Sequence, residues 1–184
     1  MNIIETGLPG LLVIEPRVFE DDRGYFFESY QKQRYMDAGI AQPFIQDNES
    51  KSIKGVVRGL HYQLGELAQA KLVRAVQGSV FDVAVDLRAG SPTFMKWYGI
   101  ELSEFNKKQL FIPRGFAHGF SVLSETAIFT YKCDNIYNKE AERSINPFDP
   151  NLKIDWRVKR PDAIISEKDE KAPMFDEAEM NFKI

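Results

Sequence analysis

The stretch KLVRAVQGSVFDVAVDLR, residues 71–88, decides the fold. It contains two runs in which apolar residues nearly alternate with polar ones, residues 71–77 and 80–88, separated by Gly78 and Ser79. Because side chains of a strand point to alternate faces, each run predicts a β-strand, and the short Gly-Ser connection predicts a tight hairpin. The same alternation places Asp82 and Asp86 on one face of the second strand, together with Ala84.

Further short strands are predicted on both sides of this stretch, separated by polar turns. They comprise residues 11–14, 57–63, 97–102, 109–113, 119–123 and 127–133. Short strands at regular spacing are typical of an antiparallel barrel or a double-sheet jelly roll, and the strands do not alternate with the long helices of a parallel α/β sheet. We therefore predict an all-β jelly-roll barrel with short peripheral helices, formed by one domain over residues 1–184.

Four other segments complete the predicted fold. Residues 19–24 have the composition of a turn, and residues 25–30 predict a strand or the approach to a short helix. Residues 31–38 predict a helix that ends at Gly39. Residues 44–50 predict a strand that opens into a loop or a polar pocket wall, and the segment after residue 146, rich in Pro and charge, predicts loops and short helices over the barrel.

Composition limits the class of protein. The chain has 184 residues, a net charge of -3, 28% charged and 43% hydrophobic residues, which is typical of a globular domain. No apolar run approaches the length of a membrane span, and the first residues lack the pattern of a secretory signal. The single cysteine, Cys133, cannot form an internal disulfide. We expect a cytoplasmic protein that binds neither membranes nor nucleic acid in general.

The strand at residues 57–63, VRGLHYQ, contains the strongest candidate for catalysis. His61 is one of only two histidines, and an imidazole can accept a proton near neutral pH. Gly59 allows a close approach of backbone or ligand, while Arg58 and Lys71 supply positive charge for an anionic or carbonyl-bearing ligand. The alternative interpretation is a buried structural histidine and solvated cationic side chains.

Tyr131 and Asp169 each have two interpretations. Tyr131 lies in an apolar run and is either a core residue or a second proton donor across the barrel from His61. Asp169 is either a solvated loop charge or, if the C-terminal segment folds back, the partner that orients His61.

Metal and nucleotide-loop motifs are missing from the sequence. The two histidines, His61 and His118, are 57 residues apart and form no His-x-His pair. An all-nitrogen metal site is therefore not expected, although an iron site with two histidines and one carboxylate remains open. Gly-rich phosphate loops and a Gly-x-Ser-x-Gly elbow do not occur. The residues alone predict a metal-free β-barrel whose cavity contains His61, Tyr131, Lys71 and Arg58.

A series of motifs in order along nearly the whole chain closely resembles the dTDP-4-dehydrorhamnose 3,5-epimerase family. The matching segments are DRGYFFE at 22–28, QDNESKS at 46–52, RGLHYQ at 58–63, KLVR at 71–74, GSVFDVAVDLR at 78–88, IPRGFAHGF at 112–120, YKC at 131–133, Tyr137 and SEKD at 166–169. So many ordered matches are far more specific than any one of them.

The resemblance implies a cupin-like jelly-roll homodimer that acts on a dTDP-linked 4-keto-6-deoxyhexose without a metal or other cofactor. It implies that His61 is the general base, that Asp169 orients it, that Tyr131 is the acid and that Lys71 stabilises the enolate at C4. His118 would be a supporting pocket residue. The implied nucleotide and pyrophosphate contacts, some of them from the second subunit, are Arg23, Phe26, Glu28, Gln46, Asn48, Arg58, Tyr137 and Lys168.

One segment departs from the family pattern. The family commonly has an Arg-Gly-Ile-Arg-Trp-like stretch before Asp-Pro, whereas residues 143–150 are RSINPFDP. The departure is expected near the base or sugar, so the identity of the nucleotide-sugar stays open. Three alternatives also stay open: an epimerase that inverts only one carbon, a metal-dependent cupin oxygenase, and a non-catalytic module that binds a sugar nucleotide.

Overall fold

The computed structural model describes residues 1–41 and 43–184, and in this part of the chain β-strands dominate. The strands are β1 (Asn2–Glu5), β2 (Leu12–Glu15), β3 (Phe19–Asp21), β4 (Gly24–Phe26), β5 (Gln46–Ile53), β6 (Val57–Gln63), β7 (Lys71–Gln77), β8 (Ser79–Asp86), β9 (Trp97–Ser103), β10 (Gln109–Ile112), β11 (Phe116–Val122), β12 (Thr126–Cys133) and β13 (Glu142–Ser144). The helices are α1 (Lys32–Asp37) and α2 (Glu167–Glu170), and short 3-10 turns occur at Gly65–Leu67, Arg160–Asp162 and Phe175–Glu177.

Two antiparallel sheets form the body of the fold. One has six strands in the order β1-β2-β10-β7-β12-β5, and the other has five in the order β13-β6-β11-β8-β9. The strands β3 and β4 form a separate small hairpin. This is the cupin-like jelly roll with short peripheral helices, so the predicted fold class is confirmed.

The predicted hairpin at Gly78 is wrong. The strand β7 pairs with β10 and β12 in the six-stranded sheet, whereas β8 pairs with β9 and β11 in the five-stranded sheet. Gly78 therefore lies at a corner where the chain crosses from one sheet to the other. Its φ is +71°, its N–H donates to Glu104 Oε1 at 2.8 Å, and a Cβ there would overlap the carbonyl oxygen of Thr126. Alternation of side chains defines the faces of a strand but not its partner.

Residues 44–50 were predicted to form a strand that opens into a loop or a polar pocket wall, and the structure shows the pocket wall. The strand β5 continues without interruption to Ile53, and Gln46 and Asn48 line a cavity. Each of its residues is paired with a residue of β12. The side chains of Gln46, Asn48, Ser50 and Ser52 alternate with residues that are exposed on the other face. A strand that is polar on both faces lacks apolar alternation, so its continuation to Ile53 was not predicted. The segment 25–30 forms only the short strand β4, whereas α1 lies within the predicted helix and ends before Gly39.

The core has two main layers on either side of β8. Val80 and Ala84 face the interior of the barrel, while Val83 and Val85 pack against Trp156 and the rest of the C-terminal segment. This segment covers the outer face of the five-stranded sheet, as predicted. Both faces of β8 are therefore buried, and Asp82 and Asp86 lie in surroundings from which water is excluded. In the described part of the chain, no helix has both the length and the apolar character needed to cross a membrane.

Candidate active site

A cavity of about 420 Å³ lies between the two sheets and brings together several predicted site residues. The six that line it are Gln46, Asn48, His61, Lys71, Tyr131 and Tyr137. They come from β5, β6, β7, β12 and the segment that follows β12. Residues up to 91 positions apart in sequence therefore share one cavity because the jelly roll places their strands side by side.

The side chain of His61 is hydrogen-bonded to the side chain of Asp169. The distance from His61 Nε2 to Asp169 Oδ1 is 2.6 Å, and the N–H of Gly59 donates to Asp169 Oδ2 at 3.4 Å. The His61 side chain is 31% exposed, whereas that of Asp169 is only 5% exposed, so the imidazole faces the cavity with the carboxylate behind it. Burial raises the pKa of Asp169, but the hydrogen bond and charge of His61 outweigh burial and hold it below its usual value. Asp169 is therefore an anion at neutral pH.

Local contacts explain why Asp169 returns to β6. The N–H of Val57 donates to the carbonyl of Ile164 at 2.9 Å, which fixes the chain beside β6 just before α2. Ser166 is the N-cap of α2, and its hydroxyl accepts a hydrogen bond from the N–H of Asp169 at 3.1 Å. The short helix thus presents Asp169 to His61.

Lys71 and Tyr131 lie on neighbouring strands of the opposite sheet. The Lys71 ammonium is 5.9 Å from the centre of the Tyr131 ring. Burial lowers the pKa of Lys71, against the opposing effect of acidic neighbours that include Asp82 and Glu142. Burial raises the pKa of Tyr131, so the phenol keeps its proton at neutral pH. One side chain can therefore donate a proton, and the other can stabilise a developing negative charge.

His118 lies behind the cavity and not on its lining. It is directly opposite His61 in the pairing of β11 with β6, and its Nε2 is 2.9 Å from Asp82 Oδ2. Both side chains of this second pair are buried, at 8% and 0% exposure. Burial lowers the pKa of His118 and raises that of Asp82. The sequence prediction included His118 but attached no role to Asp82.

A charged network forms the rim of the cavity around Glu142. The Tyr137 hydroxyl donates to Glu142 Oε2 at 3.0 Å, and the Lys168 ammonium is 2.6 Å from the same oxygen. Burial raises the pKa of Glu142, but Lys168 and Tyr137 hold it below its usual value. Lys168 is adjacent to Asp169 on α2, so this network ties that helix to β13. Glu142 lines the cavity but was missed in the sequence, because within KEAER it has the pattern of a solvated charge.

Three further lining residues, Tyr62, Gln63 and Gln69, were also absent from the predicted site. Gln63 follows His61 at the spacing of two that places side chains on one face of a strand, and this signal was available in the sequence. Its amide donates to the carbonyls of Leu67 and Ile136, and its oxygen accepts from the N–H of Asn138. Gln63 therefore holds the residues on both sides of Tyr137 in place.

The structure does not bring Arg23, Phe26 and Glu28 to the cavity of their own chain. Arg23 pairs with Asp21 on the β3–β4 hairpin, and Glu28 pairs with Arg34 at 3.1 Å. Phe26 is 71% exposed. Arg58 is exposed as well, and its Nε donates to Ser52 Oγ at 3.1 Å. Its charge lowers the pKa of Tyr131, against the larger effect of burial.

Residues 143–150, which depart from the family pattern, lie in two different parts of the fold. Ser144 is paired with His61 across β13 and β6 and so lies beside the cavity. Phe148, in contrast, packs in the cluster beneath the five-stranded sheet, and Pro147 accepts a hydrogen bond from Trp156 Nε1 at 2.6 Å. The departing segment therefore reaches the cavity at Ser144, whereas Phe148 does not line the cavity of this chain.

Within residues 1–41 and 43–184, no three His, Cys, Asp or Glu side chains come together in an arrangement that could hold a metal ion. The carboxylates nearest to the two imidazoles are Asp169 and Asp82, and each is hydrogen-bonded to a different histidine. The arrangement is that of two separate His–Asp pairs.

The sequence and the structure of this chain are both similar to those of proteins in one family. A family model described as dTDP-4-dehydrorhamnose 3,5-epimerase matches residues 5–177. The chain is 53% identical over 180 residues to the enzyme of that name from Shigella flexneri, covering 97% of this chain and 98% of the relative. It is 56% identical to a crystal structure of the enzyme from Elizabethkingia anophelis NUHP1, with a TM-score of 0.92 and coverage of 96% and 97%.

A crystal structure from Legionella pneumophila Philadelphia 1 is 51% identical, with a TM-score of 0.92 and coverage of 96% of this chain and 93% of that chain. It is described as dTDP-6-deoxy-D-glucose-3,5-epimerase in complex with dTDP-4-keto-L-rhamnose. The similarity thus extends over nearly the whole chain and includes the strands that form the cavity.

Proposed function

This chain belongs to the dTDP-4-dehydrorhamnose 3,5-epimerase family and is an isomerase, and we propose that it inverts C3 and C5 of dTDP-4-dehydro-6-deoxy-D-glucose to give dTDP-4-dehydro-L-rhamnose. The observation that supports this most directly is the 2.6 Å contact of His61 with Asp169, in a cavity that also contains Lys71 and Tyr131. These four side chains supply a base, its orienting anion, a cation and an acid.

The proposed reaction uses the C4 carbonyl of the sugar to acidify the protons on C3 and C5. His61 removes one proton, and the electrons of the broken C–H bond move to the C4 oxygen, which becomes an enolate. Asp169 stabilises the imidazolium that forms, and Lys71 stabilises the enolate oxygen. Tyr131 then donates its proton to the opposite face of the same carbon and inverts the centre. The C4 carbonyl re-forms, and exchange with solvent then removes the proton from His61 and returns one to Tyr131. The same steps can then invert the second carbon, and they need neither a metal nor a redox cofactor.

The nucleotide would bind at the rim of the cavity. Gln46, Asn48 and Tyr137 line the rim, while Arg58 and Lys168 supply positive charge for the diphosphate. His118 would support the pocket from behind. In this proposal the chain functions as a single cytoplasmic domain.

We also propose a homodimer in which part of each site comes from the second copy. Arg23, Phe26 and Glu28 do not line the cavity of their own chain, although the family resemblance assigns them to nucleotide binding. Their exposure on and after the β3–β4 hairpin leaves them available to a partner. An exposed aromatic hairpin on a protein of this size is a feature of interfaces.

Proton NMR of the substrate in deuterated water tests the function directly. We expect deuterium at both C3 and C5 after incubation with the enzyme. The His61→Ala variant should lose exchange at both carbons while still binding dTDP in a calorimeter, since the imidazole faces the sugar and not the nucleotide. Deuterium at one carbon only would instead show a single-carbon epimerase. Absence of exchange with the unmodified enzyme would refute the proposed substrate.

A further inference from the structure

Glu142 lies beneath two side chains at the rim of the cavity and is bound to both. The Tyr137 hydroxyl donates to Glu142 Oε2 at 3.0 Å, and Lys168 Nζ is 2.6 Å from the same oxygen. The Glu142 side chain is 19% exposed, whereas the Lys168 side chain is 56% exposed and Tyr137 is 54% exposed. A ligand that enters from solvent therefore meets Tyr137 and Lys168 first, with the carboxylate behind them.

Among the described residues that line this cavity, Glu142 is the only carboxylate. A lone negative charge in a site proposed for a diphosphate would repel the ligand. Here the Lys168 ammonium offsets that charge. The strand β13 pairs with β6, so the backbone of Glu142 is held opposite Gln63. The carboxylate is therefore a fixed acceptor, and the two side chains above it are its donors.

Tyr137 is held at both ends. Its N–H donates to Gln46 Oε1 at 2.9 Å, and its hydroxyl donates to Glu142. Neither contact covers the faces of the ring, which stay available for stacking with a nucleotide base. The Lys168 ammonium has three N–H groups, and one of them goes to Glu142, so two are left for a diphosphate. Both side chains are thus oriented while the groups that a nucleotide needs remain open.

We propose that Glu142 is a positioning residue for nucleotide binding, which holds Tyr137 and Lys168 in the orientations in which they contact dTDP. The inference rests on the proposed function, because that function assigns the nucleotide of the substrate to this rim. Long exposed side chains lose rotamer freedom when a ligand orders them, and contacts already formed in the free protein reduce this cost. Glu142 therefore strengthens binding by acting through its two neighbours.

The test measures the Kd of dTDP by calorimetry for Glu142→Gln and Glu140→Gln. Glu140 is the matched control, since it is an exposed carboxylate two residues earlier in the chain. For Glu142→Gln we expect a Kd about tenfold higher, because a neutral amide oxygen holds the ammonium and the phenol less firmly. Glu140→Gln should bind dTDP as wild type does. In deuterium exchange, Glu142→Gln should raise KM and leave kcat within about twofold of wild type, since Asp169 keeps its contact with His61.

A second comparison separates positioning from a general loss of structure. In a background that carries Tyr137→Phe and Lys168→Met, Glu142→Gln should no longer raise the Kd, because both contacts are already absent. A rise in Kd that persists in this background would overturn the proposal, as would unchanged or tighter dTDP binding by Glu142→Gln alone. Glu142→Asp provides the test should the Gln variant not fold. Its side chain is one methylene group shorter and cannot reach both partners, so the same loss of affinity is expected.

The binding assay also distinguishes this inference from the proposed reaction. Wild-type protein that binds dTDP but exchanges no deuterium would refute the reaction, and a higher Kd for Glu142→Gln would still support the positioning role. Wild-type protein that does not bind dTDP would refute both.

Discussion

One carboxylate determines which nitrogen of His61 can take a proton from substrate. Asp169 occupies Nε2, so Nδ1 is the nitrogen left for the reaction. The anion also stabilises the imidazolium that forms when the proton arrives. The N–H of Gly59 donates to the carboxylate of Asp169, and the N–H of Asp169 donates to the hydroxyl of Ser166. These two contacts fix the geometry of the pair.

We predict that Asp169→Asn lowers kcat by roughly a hundredfold to ten-thousandfold, with a small change in KM, because an amide neither fixes the tautomer nor stabilises the imidazolium. Initial rates of deuterium incorporation measure both parameters. Glu170→Gln is the matched control, since its carboxylate is next along α2 and forms an exposed ion pair with Arg160. Equal losses in the two variants would mean that the helix matters and the carboxylate does not.

The sequence was informative about single residues only where a motif supported them. His61, Lys71, Tyr131 and Asp169 all belong to segments that resemble the family, and the structure brings them close together. Asp82 was noticed only as a charge that shares a face with Ala84. Its pairing with His118 could not be predicted, because it depends on the register of β8 against β11. The alternation of apolar and polar residues does not determine this register.

At the scale of secondary-structure elements, hydrogen bonds to Asp86 hold the loop between β8 and β9 in place. Its carboxylate accepts hydrogen bonds from Arg88, Ser91 and Thr93. Burial alone would raise the pKa of Asp86, but these bonds lower it to about 2. A carboxyl group whose pKa is depressed in the folded state stabilises the fold above its unfolded pKa, and this contribution is lost as the pH falls toward 2.

We therefore predict that Asp86→Asn lowers the free energy of unfolding by about 2 kcal/mol at pH 7. The difference from wild type should shrink progressively below about pH 4, where Asp86 becomes protonated in the unfolded chain. Urea unfolding at pH 7 and pH 3 measures the two differences. A difference that stays constant between these pH values would show that Asp86 contributes through packing and not through charge.

The position of Gly78 at a corner between the two sheets explains why the predicted hairpin was wrong and why glycine is required there. Alternation predicted the strands on either side of it to within a residue or two, yet the strands belong to different sheets. The crossing requires a left-handed backbone at a point where Thr126 leaves no room for a side chain. Such a requirement arises from tertiary packing, so a Gly-Ser pair between two strands could not reveal it.

We predict that Gly78→Ala lowers the free energy of unfolding by at least about 2 kcal/mol, from backbone strain together with the overlap at Thr126. Gly39→Ala is the control, since Gly39 has a φ of +89° but no atom within 4 Å of the position that an alanine methyl group would take. Its cost should be roughly 1 kcal/mol, from the left-handed backbone alone. Urea midpoints of both variants provide the comparison, and similar costs would contradict an overlap at Gly78.

For the whole molecule, the exposed hairpin of β3 and β4 is the feature that one chain does not explain. Phe19, Tyr25 and Phe26 are each more than half exposed, at 51%, 55% and 71%. In the proposed homodimer these residues are covered, and Phe26 completes the cavity of the second copy. A variant that lacks Phe26 would then damage the partner's site, whereas a variant that lacks His61 damages its own.

We predict that these two defects complement each other. Phe26→Ala and His61→Ala should each be nearly inactive at low substrate concentration. Mixed in equal amounts, dissociated and reassembled, they should recover about a quarter of wild-type activity, because half of the random dimers contain one intact site. Phe105→Ala, at a phenylalanine that is 84% exposed and far from the hairpin in sequence, should stay active on its own. If the mixture remains as inactive as its components, Phe26 serves its own chain and the shared site is refuted.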